Sequence, residues 1–229
     1  MALSELEFGP GYPKINALWK RTPNGKRVIP GAYATKYLED LYLARWTWTE
    51  KIDGTNIGLR WLPEENRVVI CGKTANAAFH GGLYARLEEI ADPDKFRALY
   101  GDNHVKVFGE GYGAGIQKGS GYLPHQDFIV FDVQMGNKYG ISASSPFMGG
   151  GAINDAADML GVPTVNVLDE CSIAGAWSKM VDHEYESTFP GVPLEGIVGR
   201  PVTSYYVRFG EEIRPVLCKL KYCDVDALD

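Results

Sequence analysis

Residues 48–61 read WTEKIDGTNIGLRW, and the alternation of apolar and polar residues in this stretch is the main clue to the fold. An Asp-Gly pair is a typical tight-turn signal, so residues 53–54 predict a hairpin that joins strands over residues 46–52 and 55–61. Lys51 lies among apolar neighbours, where a lysine is partly withdrawn from water. It is either an edge-strand lysine of no consequence or an amine with a chemical role.

The composition excludes several classes of protein. The chain has 229 residues, 45% of them hydrophobic and 23% charged, which is ordinary for a globular protein. Its net charge of −6 argues against coating of DNA by bulk charge, although a local basic groove remains compatible with it. No apolar run or signal pattern predicts a membrane span or export. The four scattered cysteines are expected to be reduced, in a cytoplasmic protein.

The order of the elements favours an α+β fold with mostly antiparallel sheets flanked by helices, because runs of strands alternate with grouped helices. Residues 1–36 are rich in glycine, proline and basic residues and are expected to form an irregular lead-in. The remaining pattern predicts strands at 67–72, 104–110, 127–133, 195–200, 204–209 and 214–222, helices at 82–91, 93–100, 153–160 and 172–182, and a glycine-rich loop at 111–121.

A nucleophilic role for Lys51 requires an unprotonated amine, whereas a free lysine has a pKa near 10.4. An apolar surround and neighbouring cations lower a lysine pKa. Trp46 and Trp48 supply the apolar surround. Lys219 and Lys221 supply the cations, because their period-two spacing places both on one face of a strand, where they can point into a cleft. A nucleotide phosphate between them would be neutralised.

Three carboxylates extend this set. Glu110 ends one predicted strand, Glu195 begins another, and Asp132 lies within a third. Each alone is more often structural than catalytic, and Asp132 in particular is as well explained as a hydrogen-bonded strand residue. Together with the lysines they predict a cleft for a triphosphate and a divalent metal, Mg²⁺ or Mn²⁺, held by Glu195, Glu110 and Asp132.

An ordered series of short motifs is more specific than any one of them. The motifs are Lys51-Ile52-Asp53-Gly54, Phe108-Gly109-Glu110, Asp127-Phe128-Ile129-Val130-Phe131-Asp132, Glu195-Gly196-Ile197-Val198 and Lys219-Leu220-Lys221. The series resembles motifs I, III, IIIa, IV and V of the covalent nucleotidyltransferase superfamily, which includes ATP-dependent ligases and capping enzymes. The segment from the second of these motifs to the third resembles the RNA ligase 2 branch, which includes phage-type RNA-repair ligases.

This resemblance implies a nucleotidyltransferase domain with ATP bound in a cleft, and a reaction in three steps. The Lys51 amine would attack the α-phosphorus of ATP and expel pyrophosphate, leaving AMP covalently on Lys51. AMP would pass to the 5′-phosphate of a nucleic acid, and a 3′-hydroxyl would then displace AMP and close the phosphodiester. Catalysis in such transfers rests on positioning and charge neutralisation.

The resemblance also implies residue roles. Glu110 would bind the ribose, and Phe131 would stack on adenine unless it is plain core. Glu195 would bind metal or orient the nucleophile, and Lys219 and Lys221 would hold the α-phosphate.

Four further residues are expected beside the nucleotide. The backbone beside Glu50 would read the adenine edge, and Asp53 and Gly54 complete the first motif. Related ligases place an arginine near residue 73. Lys73 stands there in this sequence and would be a weaker phosphate ligand, because it lacks the bidentate fork of arginine.

The predicted organisation is a single adenylyltransferase domain over residues 1–229. The chain ends shortly after the last motif, so no C-terminal OB-fold or other second domain is expected, and a partner supplying one is left open, as is the oligomeric state. The best candidates for nucleic-acid contact form a basic cluster near the N-terminus whose alternative explanation is a solvated loop. They are Lys20, Arg21, Lys26 and Arg27.

An ATP-dependent RNA ligase is therefore the leading interpretation. A minimal ATP-dependent DNA ligase that seals nicks is the main alternative. A GTP-dependent capping enzyme fits less well without an OB-fold. A non-catalytic nucleic-acid-binding module fits poorly too, because a pure binder has no need of the intact Lys51 and its accompanying charges.

Overall fold

A computed structural model describes residues 8–72, 79–117, 121–210 and 212–228. The strands are β1 (Asn16–Ala17), β2 (Trp19–Arg21), β3 (Val28–Tyr33), β4 (Trp46–Glu50), β5 (Thr55–Leu62), β6 (Arg67–Gly72), β7 (Val105–Gly113), β8 (Gln126–Met135), β9 (Val167–Cys171), β10 (Gly196–Pro201), β11 (Tyr206–Phe209), β12 (Glu212–Pro215) and β13 (Cys218–Lys221). The helices are α1 (Lys36–Asp40), α2 (Gly81–Ile90), α3 (Pro93–Tyr100), α4 (Gly150–Leu160), α5 (Ile173–Val181) and α6 (Tyr222–Val225), with 3₁₀ turns at Pro63–Glu65 and Asp226–Leu228.

The chain divides into two compact units, each made of separate stretches of sequence. Unit 1 comprises Met1–Tyr12, Asp53–Val165 and Arg208–Arg214, and unit 2 comprises the rest. No helix in the described part of the chain combines the length and the hydropathy needed to cross a membrane.

Unit 1 is built on a four-stranded antiparallel sheet in the order β6-β5-β7-β8. One face of the sheet carries the core, where Ile57, Leu59 and Trp61 alternate along β5 and contact apolar residues of α2, α3 and α4. Period-two alternation explains this arrangement, because successive side chains of a strand point to opposite faces.

Unit 2 is built on a five-stranded sheet in the order β1-β13-β10-β4-β9. Its core contains Trp46 and Trp48 from β4, together with Ile197 of β10 and apolar residues of α5. The pairs β13-β10, β10-β4 and β4-β9 are antiparallel, and β1 runs parallel to β13. The α+β class with mostly antiparallel sheets is thus confirmed.

The predicted hairpin over residues 46–61 is wrong. β4 pairs with β9 and β10 in unit 2, whereas β5 pairs with β6 and β7 in unit 1. The chain bends at Gly54, but each strand buries its apolar face in a different core, and burial decides strand pairing over local turn chemistry.

Three smaller expectations also need correction. The segment over residues 1–36 carries strands β1, β2 and β3 in its described part, so it is not an irregular lead-in. The predicted loop at 111–121 begins later, because β7 continues to Gly113 opposite β8. The predicted strand at 214–222 is two strands, β12 and β13, since the backbone N–H of Val216 donates to the Tyr205 carbonyl between them.

Candidate active site

Lys51 directly follows β4, whose sequence fixes its position. Trp46 and Trp48 are fully buried on one face of the strand, which holds β4 in the sheet. The backbone N–H of Lys51 then donates to the carbonyl of Gly196 at 3.0 Å, so the chain stays beside β10 for one residue more. The side chain is 24% exposed. The expected partial withdrawal of Lys51 from water is therefore observed.

Glu195 binds two of the predicted site lysines at once. Its Oε2 lies 2.5 Å from Nζ of Lys51, and its Oε1 lies 2.5 Å from Nζ of Lys221. Gly196 makes this possible, because a Cβ at that position would lie 2.1 Å from the carbonyl oxygen of Leu220. The close approach of β10 to β13 thus places the three side chains together within unit 2.

Lys219 completes the cluster on the same face of β13 as Lys221, while the alternate residues Cys218 and Leu220 point into the core. Burial lowers the pKa of Lys219 below the ordinary lysine value of 10.5, and the charges of Lys221 and Lys51 lower it further. Burial is the largest single influence on Lys221 and acts to lower its pKa, but the hydrogen bond to Glu195 and the charge of Glu195, with smaller contributions from Cys223 and Asp224, together raise the pKa.

Glu50 is 2% exposed, and its carboxylate is fully engaged by a loop of unit 2. It accepts hydrogen bonds from Oγ of Ser187 at 2.6 Å and from the backbone N–H of Thr188 at 3.0 Å, and a third from Oγ1 of Thr188 at 2.5 Å. The Glu50 N–H donates to the carbonyl of Asn166. The side chain is therefore structural, and adenine readout by the backbone beside Glu50 stays a prediction.

Asp53 and Gly54 begin the long central stretch of unit 1. A Cβ on Gly54 would lie 2.3 Å from the carbonyl oxygen of Gly111 and 2.7 Å from Cγ of Glu110, so only glycine fits there. The Asp53 N–H donates to the hydroxyl of Tyr122 at 3.0 Å. The first motif thus brings the backbone against the residue predicted to bind the ribose.

Phe131 is the extra residue of a β-bulge. Phe108 of β7 pairs with Asp132, whereas the next residue, Gly109, pairs with Val130, which leaves Phe131 without a partner across the sheet. Its ring is half-buried and contacts the ring of Tyr12 edge-on, with centroids 4.9 Å apart. Bulges commonly re-aim a side chain near a functional site. The core of unit 1 contains Val130 but not Phe131, so Phe131 does not belong to that core.

Asp132 is fully buried, and both of its oxygens have protein partners. The Tyr12 hydroxyl donates to Oδ2 at 2.9 Å, and the backbone N–H of Val133 donates to Oδ1 at 3.0 Å. This favours the hydrogen-bonded strand residue over the metal ligand, the two alternatives that the sequence leaves open. Glu110 is half-buried on β7, opposite Asn56 and Ile129. Lys73 lies outside the described residues.

Among the described residues, a divalent metal would take most of its ligands from phosphate and water. The described residues contain no group of three or more histidine, cysteine, aspartate or glutamate side chains arranged to hold a metal. Glu195 is a partly exposed carboxylate in the lysine cluster, and Mg²⁺ commonly binds one or two carboxylates plus substrate phosphates. Glu195 is therefore the residue that suits a metal arriving with a triphosphate.

The basic cluster of unit 2 is not uniform. Lys20 and Arg21 lie on β2, and Lys26 and Arg27 lie in the turn that leads to β3. Arg21 forms an ion pair of 2.6 Å with the largely buried carboxylate of Asp224, so it anchors the hairpin. All four are exposed, and the ion pair with Asp224 is what distinguishes Arg21 from the other three.

Sequence reasoning missed several residues around these side chains. Tyr12 fell in the stretch expected to be irregular, and no periodicity marked it. Ser187 and Thr188 are distant in sequence from Glu50, and hydroxyl residues in a loop give no signal for a buried carboxylate. In each case the link exists only in the tertiary structure.

The RNA ligase family model matches residues 44–220 of the chain. Comparison with curated protein sequences gives no match.

Among solved structures, the chain is similar to a Naegleria gruberi RNA ligase variant with AMP and Mn, at a TM-score of 0.59 and 15% identity over 96% of this chain and 60% of that one. It is also similar to an archaeal ATP-dependent RNA ligase, at a TM-score of 0.58 and 18% identity over 92% of this chain and 48% of that one. At such identities the likeness concerns the fold. The chain spans between about half and three fifths of the length of these ligases.

Proposed function

The chain belongs to the RNA ligase family, and from that premise we propose that it is an ATP-dependent ligase that joins the 3′-hydroxyl and 5′-phosphate ends of RNA. The observation that carries the proposal is the cluster in unit 2, where Glu195 contacts both Lys51 and Lys221 and Lys219 lies beside them. Three cations around one carboxylate suit a phosphoryl transfer, in which positioning and charge neutralisation supply most of the catalysis.

In the first step, the Lys51 amine attacks the α-phosphorus of ATP. The N–P bond forms as the bond to the pyrophosphate oxygen breaks, and the ammonium proton passes to Glu195 or solvent. Glu195 lies within hydrogen-bond reach of Nζ, the geometry that a general base requires. Lys219 and Lys221 stabilise charge on the phosphate oxygens. A divalent metal at Glu195 would add further neutralisation of phosphate charge.

In the second step, a 5′-phosphate oxygen of the nucleic acid displaces Lys51 from AMP, and the amine regains its proton. A 3′-hydroxyl then attacks the activated 5′-phosphorus, AMP leaves, and the phosphodiester closes. We further propose that the chain falls in the RNA ligase 2 branch and forms one adenylyltransferase domain, because its third motif resembles that branch. The cytoplasmic location expected from the sequence remains a prediction.

Adenosine binding by Glu110 and Phe131 is part of the same proposal. The bulge at Phe131 supports it, because a ring taken out of the strand register is available for stacking. The close approach of Gly54 to Glu110 supports it as well, since it places the side chain of Glu110 beside the last residue of the first motif.

The test is incubation of the protein with labelled ATP or GTP and magnesium. We expect a covalent, acid-labile adduct with ATP alone. An adduct with GTP alone would indicate a capping enzyme, and no adduct with either nucleotide would favour a non-catalytic binder.

The substrate is tested separately, by comparing sealing of a nick flanked by RNA, by an RNA–DNA junction, or by DNA. We expect the RNA nick to be sealed fastest. Preference for the DNA nick would select the minimal DNA ligase instead.

A further inference from the structure

The N-terminal strand of unit 2 lies beside the lysine cluster. β1 pairs in parallel with β13, so that Asn16 is opposite Cys218 and Ala17 is opposite Lys219. Residues that are opposite each other in two paired strands lie on the same face of the sheet. Ala17, which is opposite Lys219, has only a methyl group as its side chain. The side chain of Lys219 therefore lies beside the short side chain of Ala17.

Lys14 precedes β1 by two residues and belongs to the same unit. Its side chain is exposed, and it forms no ion pair or hydrogen bond with any of the described residues. Its charge nevertheless reaches the cluster. After burial and the charges of Lys221 and Lys51, the ammonium of Lys14 is a further cause that lowers the pKa of Lys219, against the opposing charge of Glu195.

The charge balance of this group is uneven. Lys51 and Lys221 are in direct contact with the carboxylate of Glu195. Lys219 is influenced by the charges of Lys51, Lys221, Lys14 and Glu195, so four ammonium groups act here against that one carboxylate. Asp224 also acts on Lys221, but its own ion pair is with Arg21. The excess ammonium groups repel one another in the free protein, and binding of a polyanion reduces this repulsion.

We propose that Lys14 binds a phosphate of the substrate beyond the α-phosphate, either in the pyrophosphate that leaves ATP or at the 5′ end of the nucleic acid. Both sources present the same chemistry, an exposed phosphate with several anionic oxygens. The inference rests on the proposed function for the identity of these substrates. The proposed phosphate contact is supported by the pairing of β1 with β13 and by the effect of the Lys14 charge on Lys219.

The first experiment measures binding of inorganic tripolyphosphate to the full chain by calorimetry, without nucleotide or metal. The variants are Lys14→Ala and Lys14→Arg, and the control is Lys95→Ala, which removes one exposed lysine charge from α3 of the other unit. We expect Lys14→Ala to weaken binding by about fivefold to tenfold, between the strength of an exposed ion pair and of a charge-assisted hydrogen bond. Lys14→Arg restores most of the affinity, and Lys95→Ala does not change it.

The second experiment separates the two phosphate sources. If Lys14 holds pyrophosphate, Lys14→Ala raises both the KM for ATP in Lys51 labelling and the pyrophosphate concentration that reverses labelling, while sealing of a pre-adenylylated strand is unchanged. If Lys14 holds the nucleic-acid phosphate, sealing of the pre-adenylylated strand falls and labelling is unchanged.

Tripolyphosphate binding that is absent in the wild type, or equal in the wild type, Lys14→Ala and Lys95→Ala proteins, would overturn the proposal. A wild-type protein that binds tripolyphosphate through Lys14 but never labels with ATP would leave the phosphate contact standing and refute the ligase. The two failures are therefore distinguishable.

Discussion

Glu195 is the residue on which the cluster in unit 2 depends, because it is the carboxylate in direct contact with both Lys51 and Lys221. Glu195→Gln keeps the shape of the side chain but removes its charge and its capacity to accept a proton. We expect Lys51 labelling to fall by about 10²-fold or more, the usual contribution of a positioned acid or base. Rates of labelling at saturating ATP measure this, with thermal unfolding to confirm that the variant is folded. A Glu195→Gln protein that labels at the wild-type rate would remove Glu195 from the mechanism.

We expect Lys219 to make the free energy of unfolding depend on pH. Its pKa in the folded state is lowered from 10.5, first by burial and then by Lys221 and Lys51, so its charge destabilises the folded state whenever the group is protonated. Between the lowered pKa and 10.5 the unfolded chain binds more protons, and this contribution to stability rises with pH. Lys219→Met should therefore unfold at a higher temperature than the wild type at neutral pH.

The difference in unfolding temperature should shrink as the pH approaches 10.5, where the wild-type amine loses its proton in both states. Lys95→Met is the control for loss of an exposed charge. A Lys219→Met protein that is less stable than the wild type at neutral pH would contradict this reasoning.

We expect removal of the Phe131 ring to lower the affinity for ATP without a comparable loss of stability. If the ring stacks on adenine, Phe131→Ala should weaken the apparent affinity for ATP in the labelling step by roughly 1–3 kcal/mol, and Phe131→Leu should keep part of it. Tyr84→Ala is a matched control, since Tyr84 is an aromatic residue of unit 1 that is 42% exposed. Should Phe131→Ala change only the unfolding temperature, the ring is a packing residue.

At the scale of elements, the hairpin of β2 and β3 carries the basic cluster, and its residues separate into two roles. Replacing Lys20, Lys26 and Arg27 with alanine should reduce sealing of a pre-adenylylated strand and make it less sensitive to salt, because phosphate contacts are ionic. Labelling of Lys51 should not change. Sealing by this triple variant at the wild-type rate at moderate salt would show that the cluster is a solvated turn.

Arg21→Ala is expected to act through stability instead. Asp224 is largely buried and would lose its ionic partner, at a cost of about 1–3 kcal/mol. Denaturant unfolding measures this cost. An Arg21→Ala variant that loses sealing but not stability would return Arg21 to the nucleic-acid contacts.

The elements also show where sequence reasoning succeeds. Helices α2, α3, α4 and α5 and strands β6, β8 and β10 lie within a few residues of their predicted positions, because periodicity and proline or glycine punctuation are local signals. The pairing of β4 and the bulge at Phe131 could not be predicted in this way. Both depend on which distant strand pairs with the strand in question. The local sequence around Trp48 or Val130 does not identify that partner strand.

At the scale of the whole molecule, the order of motifs along the chain does not follow the division into units. Lys51 belongs to unit 2, Glu110 and Phe131 belong to unit 1, and Glu195 belongs to unit 2 again. Most of the lysine cluster could be identified from the sequence, because the order of motifs along the chain is visible without knowledge of which strands pair. Sequence analysis did not identify Lys14, because its position near Lys219 arises from the parallel pairing of β1 with β13.

Binding of a divalent metal is also expected to require the complex of the protein with ATP. Because the described residues offer no preformed group of metal ligands, the free protein should bind Mn²⁺ weakly, and ATP should increase its affinity for the ion. Calorimetric titration of Mn²⁺ with and without a non-hydrolysable ATP analogue checks this. Tight Mn²⁺ binding without nucleotide would reveal protein ligands that the described residues do not show.

The central claim is that Lys51 accepts AMP. The most direct measurement is mass spectrometry of peptides from protein incubated with ATP and magnesium, with Lys51→Arg as the control, since a guanidinium remains protonated and cannot act as the nucleophile. We predict a single AMP adduct on Lys51 in the wild type and none in Lys51→Arg. An adduct on another residue, or labelling that survives in Lys51→Arg, would contradict the account.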